Sequence, residues 1–180
     1  MSKKVILVDD NDKEVGTLDK IKAHQEGKLH RAFSIFIFNN KDQLLLQKRS
    51  REKYHSAGLW SNTCCSHPMP GKQLTQSAER RLGEEMGFRC PLQRAFSFIY
   101  RAEFSNGLIE HEFDYVLIGK FSGKPKPNPE EVSDYRYITL RDLMKDITQN
   151  PHKYTLWLSI IINDHFHHLE SILNSHLVIK

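Results

Sequence analysis

The stretch Arg80-Arg-Leu-Gly-Glu-Glu-Met-Gly-Phe88 frames the reading of this chain. It closes a segment of helical composition, Leu74–Met86, that stops at Gly87. A glycine just past the last helical residue is a common stop signal, because it enters the left-handed region without a Cβ penalty. Glu84 and Glu85 sit one turn beyond Arg80 and Arg81. Such a helix can present a carboxylate to Mg²⁺ and a guanidinium to a phosphate from the same side.

Working outward, Tyr54–Gly71 holds His, Ser, Asn, Pro and Gly, and reads as a long loop of the kind that often carries function. Before it, Phe33–Phe38 and Gln43–Arg49 read as the strands of a hairpin turned at Asn39-Asn40-Lys41-Asp42. Val5–Val8 is a further strand, and Leu18–His24 a short helix ended by Gly27. Beyond the quoted stretch, Arg94–Phe104 and Glu112–Phe121 are strand-like and joined through Ser105-Asn106-Gly107. The three prolines of Gly123–Pro129 make a rigid connector. Tyr135–Ile138 is a short strand, and Thr139 with Asp142 starts a helix in the manner of a capping box. Tyr154–Leu173 predicts the longest helix, with Trp157, Ile160, Ile161 and Leu169 towards the core. Strands and helices mix without regular alternation. The expectation is an α+β fold over residues 1–180, one domain with a mixed or antiparallel sheet sandwiched between helices.

Composition narrows the class. Of 180 residues, 39% are hydrophobic and 27% charged, the average of a soluble globular domain. The balance of 26 Lys+Arg against 22 Asp+Glu gives +4, too small and scattered to indicate a nucleic-acid partner. Two basic clusters, Lys48-Arg49-Arg51-Lys53 and Arg80-Arg81, read either as solvated faces or as a pocket for a small anion. The apolar runs Phe33–Phe38 and Leu156–Ile162 fall far short of the roughly 18 residues that cross a bilayer. Three cysteines, with Cys64 and Cys65 adjacent, speak against a disulfide framework and for a reducing compartment. Met1–Asp10 lacks the apolar core of a secretory signal and His176–Lys180 carries no lipidation or peroxisomal signal, so a cytoplasmic location is expected. No uncommitted apolar stripe is evident, which favours a monomer.

Ten histidines stand out from this average background. In Trp60-Ser-Asn-Thr-Cys-Cys-Ser-His-Pro68, a Cys two residues before a His suits a metal site or a reactive thiol. In Glu110-His-Glu112, strand alternation puts both carboxylates on one face, where they repel unless a cation or a shared proton joins them. An exposed strand edge with two solvated acids is the plain alternative. His24 and His30 bracket Gly27, but taken separately each reads as an ordinary surface histidine, and His165, His167 and His168 read as a solvated helix face.

From Ser66 to Phe88 the chain resembles the Nudix box, G-x5-E-x7-R-E-U-x-E-E-x-G-U, with departures. Ser66 stands for the first Gly, Lys72 for the first Glu, and Arg81 for the Glu after Arg. Those acids assemble the metal cluster of Nudix hydrolases, so their loss speaks against diphosphate hydrolysis while the fold is kept. Together with Asn62-Thr-Cys-Cys-Ser-His-Pro68 and Glu110-His-Glu-Phe-Asp-Tyr115, the pattern resembles the type I isopentenyl-diphosphate Δ-isomerases, from Gly16 to Trp157. The resemblance implies interconversion of isopentenyl and dimethylallyl diphosphates by alkene protonation and deprotonation, with Cys65 and Glu112 on opposite faces of the substrate. It implies supporting roles for Tyr100 and Trp157, and anion contacts from Lys20, Arg49, Lys53 and Arg81. It further implies a His/Glu metal site on His24, His30, His67, Glu110 and Glu112, filled by Mn²⁺, Mg²⁺ or Zn²⁺. A second Mg²⁺ arrives with the diphosphate at Glu85, and no flavin is needed. Two residues depart from the family, Ser61 where Thr is common and Leu156 where Pro often precedes the Trp, and the adjacent Cys64 leaves an exchange of roles with Cys65 open. A Nudix hydrolase and a non-enzymatic metal-bound binding module are the competing expectations.

Overall fold

A computed structural model describes residues 4–53 and 55–175. Residues 1–3, Tyr54 (where the expected loop begins) and the tail 176–180 read above for a sorting signal lie outside the described residues. The strands are β1 (Lys4–Val8), β2 (Glu14–Asp19), β3 (His30–Phe38), β4 (Leu44–Arg49), β5 (Trp60–Ser61), β6 (Cys64–Ser66), β7 (Gln93–Glu103), β8 (Ile109–Lys120) and β9 (Val132–Ile138). The helices are α1 (Lys20–Glu26), α2 (Leu74–Met86), α3 (Leu140–Gln149), α4 (Leu156–Asp164) and α5 (Phe166–Asn174).

Everything is hung on β3. Its run Ala32–Phe38 is buried on both faces, which is why it reads as a near-continuous apolar run interrupted by Ser34 and not as alternation. It runs parallel to β8, from His30 opposite Glu112 to Phe38 opposite Lys120, and antiparallel to β1, β4 and β6. β7 pairs with β8, β2 with β1, and β5 and β9 with β4, so the described strands form one mixed sheet. On one face α2 packs Ala78, Leu82 and Met86 against Phe33, Ile35, Ile37 and Cys64. On the other, α3, α4 and α5 cover Phe36, Phe38, Val116 and Ile118 with Leu143, Ile147, Trp157, Ile161 and Leu169. This is the expected α+β sandwich.

Two expectations change. The segment after residue 54 is not one loop, since β5 and β6 lie inside it and enter the sheet. The hairpin partners β3 and β4 meet only at Phe38 and Leu44, and β6 takes the place beside Phe33–Ile35. Buried Asn62 and Thr63 hold the two strands apart. Thr63 Oγ1 accepts from Ile37 N–H at 3.0 Å and donates to Leu45 O at 2.6 Å. Asn62 Nδ2 donates to Ile35 O at 3.2 Å and to Cys64 O at 2.9 Å. Side chains thus replace the ladder bonds lost where the strands part. The second change is the terminal helix, which breaks at His165 (φ −123°, ψ 14°). Asn163 and Asp164 are weak helix formers, and the break seats the His165 ring 4.8 Å from Phe98. Among the described residues the longest helix is therefore α2, with 13 residues.

Gly87 ends α2 at φ +75°, and a Cβ there would lie 2.1 Å from Lys126 O. Gly71 has nearly the same φ, +73°, with open space around it. Gly71→Ala should cost about 1–2 kcal/mol of backbone strain alone. Gly87→Ala adds the clash and should cost more, about 3 kcal/mol or above. Urea denaturation of both variants measures the difference, and equal losses would contradict the packing described.

Candidate active site

The sheet register lines up three polar side chains in a row. His30 on β3 is opposite Glu112 on β8, which is opposite Tyr100 on β7. All three are buried. His24 comes from α1, whose start is capped by Asp19 Oδ1 accepting from Lys22 N–H at 3.0 Å. His67 follows β6, its Nε2 2.9 Å from Glu112 Oε1 and 3.2 Å from His30 Nε2. One ligand atom each from His24, His30, His67 and Glu112 lies within 4.8 Å of the others.

That donor set fits a divalent ion. His24 Nδ1 and His30 Nδ1 each donate to a backbone carbonyl at 2.7 Å, Lys20 O and Lys28 O, which leaves their Nε2 lone pairs for the site. Burial pushes the His67 pKa down to about 3 and lowers that of His24, so both rings are neutral near pH 7. Neutral imidazole nitrogens and a carboxylate converging on one point are the ligands of Zn²⁺, Mn²⁺ and related ions. Glu110 stands apart from these four. Its Oε1 lies 3.3 Å from His55 Nε2, and Tyr100 Oη is 3.0 Å from its Oε2 and 2.7 Å from Glu112 Oε2. Burial and the neighbouring Glu112 charge raise the Glu110 pKa well above the usual carboxylate range. Burial acts on Glu112 too, but the neighbouring His30 and His67 outweigh it, His67 through a hydrogen bond, and hold Glu112 well below that range.

A cavity of about 70 Å³ opens beside this cluster, lined by Cys65, Tyr100, Glu110, Glu112, Ser34 and Trp157 among others. The adjacent cysteines are separated by strand alternation. Cys64 is buried against α2, and Cys65 faces the cavity. Burial and the surrounding Glu85, Glu110 and Glu112 charges push the Cys65 thiol up to about 12, against which Arg49 acts, so it carries its proton at neutral pH. Trp157 Nε1–H donates to Ser61 Oγ and Asn62 Oδ1, both at 3.0 Å, so Ser61 supplies the hydroxyl its position calls for. Leu156 occupies the first turn of α4, half exposed at 44%. Over that indole lies the Arg49 guanidinium, 5.2 Å from the ring centroid.

The anion-binding candidates converge as well. Lys20, Arg49, Lys53, Arg81 and Glu85 all line the cavity. Gln47 Nε2 donates to Glu85 at 3.1 Å, and Arg81 is held by both Glu84 and Glu85. Lys20, Lys53, His67 and Arg81 continue into an outer groove of about 1050 Å³. His55 is the residue the sequence left unmarked. It is buried, lines the cavity and sets its ring 5.8 Å from Trp157 in an edge contact. Nothing in its local pattern, Lys53-Tyr-His-Ser56, distinguishes it from a surface histidine.

The NUDIX domain family matches residues 28–158. The isopentenyl-diphosphate Delta-isomerase 1 of Aromatoleum aromaticum is 53% identical over 163 residues, which cover 91% of this chain and 92% of that protein. This chain belongs to the isopentenyl-diphosphate Delta-isomerase family. A second family protein, from Photorhabdus laumondii, is also 53% identical over 91% of this chain and 92% of its own. The isomerase of Aliivibrio fischeri is 39% identical over 96% of this chain and 99% of its own. Among solved structures, a Deinococcus radiodurans protein superposes with a TM-score of 0.74 at 20% identity, covering 89% of this chain and 97% of that one. That likeness carries the fold alone. In this isomerase-family chain the Nudix helix is electrostatically rewired, because Arg81 stands where the box has Glu and neutralises Glu84 and Glu85.

Metal-free protein should show a defined acid instability. Burial pushes both His55 and His67 from 6.5 in the open chain to about 3 when folded. Between those values the unfolded chain binds more protons. Stability should therefore be full above pH 6.5 and fall as pH drops from 6.5 towards 3. Thermal melts of EDTA-treated protein across that range test the slope, and added Mn²⁺ or Zn²⁺ should raise the melting temperature at pH 7.

Proposed function

We propose that this chain interconverts isopentenyl and dimethylallyl diphosphates by two proton transfers on opposite sides of the alkene. One observation carries the reading: a thiol, Cys65, and a Tyr100–Glu112 pair line the same small cavity as the cationic Lys20, Arg49, Lys53 and Arg81. The inner cavity of about 70 Å³ suits a small apolar end, and the outer groove leaves room for a diphosphate. Lys20, Arg49, Lys53 and Arg81 would take that diphosphate by charge-assisted hydrogen bonds.

At rest the thiol holds a proton and Glu112 does not. The Cys65 S–H proton adds to the terminal alkene carbon, giving a tertiary cation. Glu112 then accepts a proton from the carbon on the other side, and the double bond re-forms one position along. Tyr100 Oη, donating to Glu112 Oε2, holds that carboxylate in place. The indole of Trp157 already faces one cation, Arg49, and a desolvated cation at such a face gains about 2 kcal/mol. Burial keeps out the water that would quench the cation.

A divalent ion held by His24, His30, His67 and Glu112, with Glu110 alongside, would supply positive charge that orients Glu112 and tunes its basicity. Mn²⁺, Mg²⁺ and Zn²⁺ are all compatible with these ligands. A Mg²⁺ accompanying the diphosphate would be held by Glu85. The chemistry moves protons only and requires no flavin. Three free thiols suit a reducing cytoplasm. The exposed apolar residues Val15, Ile21, Met69, Ile99 and Leu156 sit on five separate segments, in keeping with a monomer.

Purified protein incubated with isopentenyl diphosphate and Mg²⁺ in D₂O, without flavin, should give deuterium-labelled dimethylallyl diphosphate by NMR. Released phosphate would instead indicate hydrolysis, and no turnover a binding module. Cys65→Ala should lower kcat by about 10²–10⁴-fold, the usual weight of a positioned proton donor. Cys64→Ala should keep most activity, since Cys64 packs against α2. Equal activities in the two variants would remove Cys65 from the mechanism.

A further inference from the structure

Two cations at the mouth of the cavity are engaged by an anion of the chain itself. Glu131 closes the turn that begins at Asn128, its N–H donating to Asn128 O at 3.0 Å, just ahead of β9. Its carboxylate is salt-linked through Oε2 to Lys53 Nζ, and its Oε1 lies 3.4 Å from Arg81 Nη2. Lys53 follows β4 and Arg81 sits on α2, so a single carboxylate spans two otherwise separate elements. Arg81 is also held by buried Glu85 and by exposed Glu84. Glu131 is the outermost of the bridged groups, its side chain 25% exposed against 16% for Lys53 and 12% for Arg81. It lines the outer groove together with both cations.

We propose that Glu131 stands in for the diphosphate, holding Lys53 and Arg81 until a more highly charged anion displaces it, and so sets how much charge an anion must bring to occupy this site. The proposal rests on the reading of Lys53 and Arg81 as the anion site, not on isomerisation. An entering anion must first break both carboxylate contacts. A monophosphate, at about −1.5 to −2 charge near neutral pH, gains little beyond what Glu131 already supplies. A diphosphate brings more charge and a second set of acceptor oxygens, enough to reach both cations at once. The displaced carboxylate is left on the solvent side, where its rehydration offsets the lost pairs. Partial burial acts to raise the Glu131 pKa, but Lys53 and Arg81 hold it below the usual range, so the stand-in is ionised at neutral pH.

Isothermal titration of the purified protein with inorganic pyrophosphate and with inorganic phosphate, at fixed ionic strength, tests this. Glu131→Gln should bind both anions about three- to tenfold tighter, because the contacts it no longer makes are broken by either one. Glu131→Asp, which keeps the charge with a shorter reach, should fall between and serves if the amide variant folds poorly. Glu130→Gln makes the same charge change at an exposed neighbour that lines the same groove but is not salt-linked to Lys53 or Arg81, and should tighten binding by less than about twofold. Weaker binding of both anions by Glu131→Gln would overturn the proposal, showing that Glu131 orients the cations. Equal tightening in the Glu130 and Glu131 amide variants would also overturn it, leaving only long-range charge. A wild type that binds neither anion would remove the site and the proposal with it. Isomerase turnover, measured separately, speaks to the proposed function and not to these affinities.

Discussion

Three carboxylates, Glu110, Glu112 and Asp114, project onto one buried face of a single strand. Same-face neighbours on a strand are about 6.6 Å apart, where two carboxylates repel by about 2–3 kcal/mol at an effective dielectric near 20. Burial adds a desolvation cost for each charge. The surroundings of β8 answer that constraint residue by residue. Glu112 keeps its charge because His67 hydrogen-bonds it and His30 lies 3.5 Å away. Asp114 is pushed up to about 8 by burial and by the Glu112 charge, and accepts a 2.7 Å hydrogen bond from Ser34 Oγ. Glu110 is raised and shares the Tyr100 hydroxyl. The histidine cluster is a structural answer to buried negative charge and, in the same atoms, a metal-binding geometry.

The second constraint is the parting of β3 and β4. A continuous hairpin would have closed the sheet over this face. Asn62 and Thr63 satisfy the freed backbone groups with their side chains, so the opening carries no orphaned amides at those positions. The same segment sets Cys65 on the cavity side and turns Cys64 into the α2 core. It also anchors α4, through Thr155 N–H to Trp60 O at 2.9 Å and through the Trp157 indole on Ser61 and Asn62. Thiol, indole and strand opening are thus consequences of a few consecutive residues.

Much of this was legible in the sequence where the signal is local. The αL stops at Gly27 and Gly87, the Thr139 cap and the shared face of Glu110 and Glu112 all follow from backbone rules within a few residues. The short strands β5 and β6 were not legible, because two or three residues carry no periodicity and are held by partners distant in the chain. The break at His165 escaped for a related reason, since it answers to Phe96 and Phe98 on β7. His24 and His30, ordinary when read alone, are both fully buried, and only the resemblance to a family singled them out.

The sequence by itself determined the fold class, the family and most of the chemical inventory, because hydrophobic patterning and motif spacing are properties of neighbouring residues. The tertiary structure decided which members of that inventory meet. It brought His55 and Glu131 to a site from which no local pattern announced them, and it set Glu110 apart from the four-ligand cluster. The physical reason is range. Desolvation and charge pairing act through space between segments that lie tens of residues apart in the chain, and no window of sequence contains both partners.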